Sequence, residues 1–242
     1  MLSTHHLNFS YGNKAVLKDI HLTIPTGGIT VLIGPSGTGK TTLLRCLSLL
    51  EQPQSGTIEI DDQTFGYPWP QGKAFNPPWP KLTTVFQQLF LWPHLTLREN
   101  ILLPARRRKD AAMHDQLDAL IEAFDMHDFI DHYPNEASIG QRQRVALARA
   151  LILQPRYLLL DEITSALDVE QIARILTYLK TLRGKDIGIF LITHLLGFAR
   201  QAADQVLFMA NGEIAESGDA GILKNPKTER LQQFLSVIEA AS

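Results

Sequence analysis

Apolar positions in the first sixty residues alternate in the two-residue rhythm of half-buried strands, at Leu2 to Phe9, Ala15 to Ile24, Ile29 to Gly34 and Thr57 to Ile60. Turn-forming stretches, Tyr11-Gly12-Asn13-Lys14 and Pro25-Thr26-Gly27-Gly28, separate them. After the third strand the rhythm changes: Thr42 to Leu50 carries apolar residues at three- and four-residue spacing, which predicts a helix. Helical spacing dominates from Leu89 to Leu153, notably in Asp110 to Ile130 and Ile139 to Leu153, and predicts an inserted helical subdomain. Strand patterns return at Tyr157 to Leu160, Ile187 to Ile192 and Gln205 to Met209, with the helical stretch Val169 to Leu182 among them. Such alternation marks a parallel sheet wrapped by helices. The tail from Lys227 to Ala241 is amphipathic and reads as helix.

One stretch fits neither rhythm. Between Gly66 and Pro80, Tyr67, Trp69, Phe75 and Trp79 stand among Pro68, Pro70, Pro77, Pro78 and Pro80, which excludes a helix or a central strand. A loop that packs its aromatics onto the domain is expected there rather than a docking surface.

Composition narrows the function classes. With 45% hydrophobic residues, 20% charged residues and a net charge of −2 across 242 residues, no global basic field points to nucleic acid. No uninterrupted apolar run approaches the ~20 residues of a membrane helix, so no direct membrane insertion is expected. The single cysteine, Cys46, excludes an intrachain disulfide, and its place in the first predicted helix reads as packing. Arg106 to Lys109 reads as a solvated helix start, and His127, Asp128, Asp131 and His132 as a solvent-facing helix segment rather than a metal site.

The chemistry begins at Gly34-Pro35-Ser36-Gly37-Thr38-Gly39-Lys40-Thr41, which fits the phosphate-loop pattern G-x-x-x-x-G-K-[ST] between a β-branched strand and an apolar helix. Glycines let the backbone approach phosphates, and the following helix turns its positive end toward the anion. Lys40 would reach the β- and γ-phosphates, and the Thr41 hydroxyl would ligate Mg²⁺. Downstream, the apolar strand Tyr157 to Leu160 ends in Asp161-Glu162. One carboxylate there can hold Mg²⁺ and the other can orient and deprotonate an attacking water. Alone, the pair would read as a helix cap. With a phosphate loop upstream it reads as catalytic.

In order and spacing these motifs resemble the ATP-binding-cassette (ABC) nucleotide-binding domains of membrane transporters, and the resemblance covers nearly the whole chain. It implies a P-loop NTPase (RecA-like) α/β core over 1–88 and 154–220 with an N-terminal antiparallel β subdomain. It further implies the helical subdomain over 89–153, a C-terminal helix over 221–242, and a single ATPase domain in all. Tyr11 is similar to the aromatic that stacks on adenine, and Gln87 to the loop glutamine that contacts Mg²⁺ and senses the membrane partner. Ser165-Ala166-Leu167-Asp168 resembles the loop that crosses the dimer interface, and His194 the switch histidine on the γ-phosphate.

The family's Leu-Ser-Gly-Gly-Gln signature corresponds to Ala137-Ser138-Ile139-Gly140-Gln141, so Ile139 replaces a glycine. That departure predicts either crowding or a forbidden φ > 0 at the approach to phosphate, weakening closure or hydrolysis or leaving a partner subunit to supply the better signature; the alternative is a position that points away from phosphate and tolerates a side chain. Ile163 and Leu195 depart where a proline and an acid commonly stand, and remove no catalytic group.

By this resemblance, Gly34, Ser36, Gly37, Thr38, Gly39, Lys40, Thr41, Thr42 and Tyr11 bind ATP, with Ser138, Gly140, Gln141 and Asp168 meeting the nucleotide of the other subunit. Thr41, Gln87 and Asp161 would hold Mg²⁺, and Glu162, His194 and Gln87 would act in hydrolysis. The implied assembly is a homodimer, or a dimer with a second ATPase subunit, docked on transmembrane permease subunits near Gln87 and Leu89 to Trp92, peripheral on the cytoplasmic face of the inner membrane. Leu44 to Leu47, Leu50-Glu51, Ser55-Gly56 and Phe86 to Gln88 most resemble the ATPases of bacterial polar amino acid importers. A regulatory ATP switch without turnover is the alternative, favoured by Ile139 and opposed by the presence of both Glu162 and His194.

Overall fold

The computed structural model describes residues 1–72, 74–106, 112–164 and 167–241, without the side chains of 239–241. Among these residues the strands form two sheets. The first is antiparallel, in the order β2-β1-β4-β5, from β1 (Leu2–Tyr11), β2 (Lys14–Ile24), β4 (Ser55–Ile60) and β5 (Gln63–Tyr67). The second contains β3 (Ile29–Ile33), β6 (Leu82–Val85), β7 (Tyr157–Asp161), β8 (Gly188–Ile192), β9 (Gln205–Ala210) and β10 (Glu213–Gly218), in the order β10-β9-β3-β8-β7-β6. All its pairings are parallel except that of β10 with β9.

β3, β7 and β8 are buried at every position, as expected of parallel strands covered on both faces. Alternate residues feed two cores. Leu32, Leu159, Phe190 and Leu207 face the antiparallel sheet and α1 (Lys40–Leu47), while Val31, Leu158, Leu160, Ile189 and Leu191 face the remaining helices. Cys46 lies in the first of these cores, where burial pushes its thiol up to about 12, so it packs and does not react.

The stretch between β6 and β7 carries α2 (Leu97–Leu102), α3 (Ala112–Ala123) and α4 (Ile139–Leu151). α5 (Val169–Leu182), α6 (Leu196–Ala202) and α7 (Glu229–Ala241) follow.

Two predicted helices end early. α1 stops at Leu47 because Leu49 turns to φ +59° and Leu50 N–H donates back to Arg45 O at 3.0 Å. The helix expected to run to Ile130 ends at Ala123, since Asp125 takes φ +51° and the chain to Ile130 is turns. His127 and Asp131 therefore stand on turns, paired with Glu122 at 2.9 Å and Arg98 at 2.7 Å. Of the basic run, residues 107 to 109 lie outside the described residues. Of the proline-rich loop's aromatics, Trp69 stacks on Phe65 at 5.9 Å and meets Phe75 edge-on at 5.2 Å, as expected, whereas Trp79 is 57% exposed.

Candidate active site

Strand order alone gathers the motifs. β3, β8, β7 and β6 lie side by side and parallel, so the segments leaving their carboxyl ends share one edge. Those segments carry Gly34 to Thr41, then Thr193-His194, then Asp161-Glu162, then Gln87.

Gly34 leaves β3 at φ +151°, and a Cβ there would lie 2.2 Å from Met209 O on β9. Only glycine fits this corner. Gly39 ends the loop in the left-handed region, φ +104°, as the N-cap of α1. No side chain caps that terminus, which leaves first-turn amides available to an anion. The Lys40 ammonium is buried over the loop, donating to Gly34 O at 2.8 Å and Pro35 O at 2.9 Å. Burial lowers its pKa, opposed by the charges of Glu162 and Asp161.

Asp161, 3% exposed, is the buried acid of the edge. Desolvation is the first cause that raises its pKa, and the Glu162 charge adds to it, while a hydrogen bond with Thr41 and the Lys40 charge act in the opposite direction. A buried carboxylate beside a threonine hydroxyl, with Gln87 nearby, is an all-oxygen donor set suited to a hard divalent cation. Glu162, next in sequence, turns at φ +49° with its amide donating to Ile192 O at 3.0 Å. This turn brings its Oε1 to 2.7 Å from His194 Nε2, so the acid and the histidine from two neighbouring strands form one pair.

A cleft of about 1010 Å³ opens over this edge, lined by Tyr11, Ser36, Gly37, Thr38, Gly39, Lys40, Thr41, Thr42, Gln87 and Glu162. Tyr11 stands at its wall, edge-on to Phe9 at 4.8 Å, its hydroxyl donating to Glu51 Oε1 at 3.3 Å. A second cleft of about 520 Å³ shares Thr41 and Gln87 with the first and continues along Asp161, Arg45, Leu50, Phe86 and Phe90. Gln87 thus borders both.

Lys14, Val16, Lys18, Asn211, Gly212 and Arg230 also line the nucleotide-sized cleft and were not singled out in the sequence. Lys14, Val16 and Lys18 had a signal, since alternate residues of one strand share a face. Arg230 had none, because only the tertiary fold brings α7 to the phosphate loop.

Four expected contacts stand elsewhere. Ser138, Gly140, Gln141 and Asp168 do not line the cleft. Ser138 caps α4, accepting from Gln141 N at 3.2 Å while Gln141 Oε1 accepts from Ser138 N at 2.8 Å. Asp168 caps α5, accepting from Gln171 N at 2.8 Å. Ser165 and Ala166 lie outside the described residues. Ile139 is the first helical residue of α4 and is absent from the positive-φ positions, so its side chain strains no backbone here.

Residues 17–165 match the family described as ABC transporter. The chain belongs to that family. As an ABC ATPase it is 42% identical over 235 residues to the arginine transport ATP-binding protein ArtP of Escherichia coli strain K12, covering 95% of this chain and 97% of ArtP. It is 39% identical over 247 residues to the glutamine transport ATP-binding protein GlnQ of Geobacillus stearothermophilus, covering 98% and 99%. Among solved structures it is similar to the dimeric bacterial ABC transporter cassette MJ0796, with a TM-score of 0.76 and 28% identity over 91% of this chain and 99% of that one. The same cassette is also known as a dimer in a post-hydrolysis state bound to ADP and Pi. This ABC ATPase therefore has the cassette fold, and the phosphate loop, Asp161-Glu162 and His194 lie on its common parallel edge.

Proposed function

We propose that this chain is the ATP-hydrolysing subunit of an importer of amino acids or similar small polar solutes, working as a dimer of ATPase subunits on transmembrane permeases at the cytoplasmic face of the membrane. The observation that carries the hydrolytic part is the Glu162–His194 pair, 2.7 Å apart and beside the phosphate loop. The solute class rests on the arginine and glutamine carriers named among the relatives.

ATP lies along the loop amides and Lys40, which exchanges its two loop carbonyls for phosphate oxygens, while Tyr11 supports the base. Thr41, Asp161 and Gln87 hold Mg²⁺, which when bound neutralises phosphate charge. Glu162 orients the attacking water and takes its proton, and His194 leaves its carboxylate partner to hydrogen-bond the γ-phosphate. Ser138, Gly140, Gln141 and Asp168 complete the site of the opposing subunit, which is why they stand apart from the cleft of their own chain.

The permease side is the second cleft, where Leu50, Phe86 and the 64% exposed Phe90 stand among Arg45, Glu51, Gln87 and Gln88. Arg149 of α4 donates to Leu89 O at 2.6 Å and Phe90 O at 2.8 Å, so this loop moves with the helix that Ser138 opens.

The test is phosphate release from Mg²⁺-ATP by purified protein, with Glu162→Gln as the blank. Release well above the blank supports a hydrolytic motor. Release equal to the blank, with ATP still bound, overturns it in favour of a switch without turnover.

A further inference from the structure

On the β1–β2 hairpin of the antiparallel sheet, three exposed side chains that do not line the nucleotide cleft form a cluster that hydrolysis does not use. We propose that His6, Asp19 and His21 form a binding site for a late first-row divalent cation, of the Zn²⁺ or Ni²⁺ kind. Among the described residues it is the one group of three such side chains whose ligand atoms all lie within 4.8 Å of one another.

Two bulges build it. Between the pairs Thr4↔Leu22 and Leu7↔Ile20, β1 has two residues, His5 and His6, against the single His21 of β2. Between Leu7↔Ile20 and Phe9↔Leu17 the excess reverses, with Lys18 and Asp19 of β2 against Asn8 of β1. His6 and Asp19 each take φ +50°, rare for residues other than glycine, and the paired bulges turn His6, Asp19 and His21 to one exposed side.

Asp19 Oδ1 lies 2.8 Å from His6 Nδ1 and 3.2 Å from His21 Nε2, and the two rings meet edge to face at 4.3 Å. Ligand atoms 2.0–2.1 Å from a tetrahedral metal stand about 3.4 Å apart, close to the two carboxylate–imidazole separations, while the two imidazole nitrogens, within 4.8 Å of each other, can be brought together by rotation of the exposed rings. Two imidazoles and a carboxylate suit Zn²⁺ or Ni²⁺ rather than Ca²⁺ or Mg²⁺, and water fills the remaining positions.

The backbone behind the cluster is braced by one side chain. Asn8 Oδ1 accepts from Asp19 N at 2.9 Å and Asn8 Nδ2 donates to His6 O at 2.8 Å, fixing both left-handed residues. His5 leans away toward Glu59 at 3.9 Å and is not required. Bound metal staples β1 to β2, the hairpin that carries Tyr11, Lys14 and Lys18 to the nucleotide cleft.

The experiment is calorimetric titration of the full chain with ZnSO₄ in nucleotide-free buffer, comparing wild type, His6→Gln/His21→Gln and His94→Gln. The expected result is a site in wild type and His94→Gln that the double variant lacks or binds at least about tenfold more weakly, with Asn8→Ala weakened about 10- to 100-fold. Identical isotherms for wild type and the double variant would overturn the site, as would no binding by wild type at millimolar zinc. A second readout needs no variant: zinc should protect His6 and His21 of the wild type from diethyl pyrocarbonate, mapped by peptide mass, and equal modification with and without zinc would count against the site.

Discussion

At the scale of single residues, the proposed chemistry rests on two acids that are adjacent in sequence and unlike in environment. Asp161 is buried and its pKa is raised by desolvation, whereas Glu162 is swung by its φ of +49° onto His194. Glu162→Gln keeps the shape and removes the base, so hydrolysis should fall about 10²- to 10⁴-fold with ATP binding retained, read by single-turnover phosphate release alongside nucleotide titration. Gly34 is constrained by space as well as by conformation. In Gly34→Ala the new methyl meets Met209 O at 2.2 Å, and a loss of about 2–4 kcal/mol is expected in urea unfolding. Lys40, Asp161 and Glu162 were legible as candidates because a phosphate loop constrains residue type and spacing tightly, His194 only through the family resemblance, and the cleft's Lys14, Lys18 and Arg230 were missed. The Glu162–His194 contact was not legible, since 32 residues separate the pair and only parallel pairing of β7 with β8 brings them together.

At the scale of elements, the long buried strands and amphipathic helices were readable, and the short edge elements were not. β6 has four residues and follows the prolines that end at Pro80, so it offers too little alternation to be seen. β10 reads Glu-Ile-Ala-Glu-Ser-Gly, polar like an edge strand, and is held in place by β9 rather than by its own pattern. Its Glu216 anchors the C-terminal segment, accepting from Lys227 N and Thr228 N, each at 2.9 Å, and from Thr228 Oγ1 at 2.6 Å. Burial alone would raise the Glu216 pKa, and these hydrogen bonds outweigh it, leaving the group below its ordinary range. A carboxyl depressed on folding stabilises above its unfolded pKa and loses that contribution as pH falls through the folded one. Glu216→Gln should therefore lose about 1.5–3 kcal/mol at neutral pH, a difference from wild type that shrinks as acid protonates the wild-type carboxylate, read from urea midpoints across pH. Ser138 poses a separate question at this scale, because its capping of α4 is reason enough for a serine there. Ser138→Asp preserves the cap, so monomer stability should stay within about 0.5 kcal/mol, while a negative charge facing the partner's γ-phosphate should abolish ATP-driven pairing in light scattering. Pairing that survives Ser138→Asp would leave Ser138 as a cap and nothing more.

At the scale of the whole molecule, the proposed function gives the chain two half-sites that cannot meet within it. One is the cleft over the phosphate loop, and the other is the exposed opening of α4, where Ser138 and Gln141 satisfy each other and line no part of that cleft. Two copies related by a two-fold axis would bring each half against its complement, giving an isologous interface with two equivalent sites. Hydrolysis per chain should then climb with protein concentration and level off once dimers dominate, whereas a self-contained site would give a flat rate. Ile139 is expected to set where on that curve the protein works. It is 56% exposed on the first turn of α4, with helical backbone, so its cost falls on the approach of the second copy and not on the fold of the first. Ile139→Gly removes the side chain from that approach, and should shift the half-maximal concentration down by about threefold or more, equivalent to roughly 0.7 kcal/mol of pairing free energy. Its effect on the monomer is confined to glycine's helix cost of about 1 kcal/mol, which urea unfolding measures separately. A half-maximal concentration that stays put would mean that Ile139 points clear of the phosphate, and that the second copy accommodates it without loss.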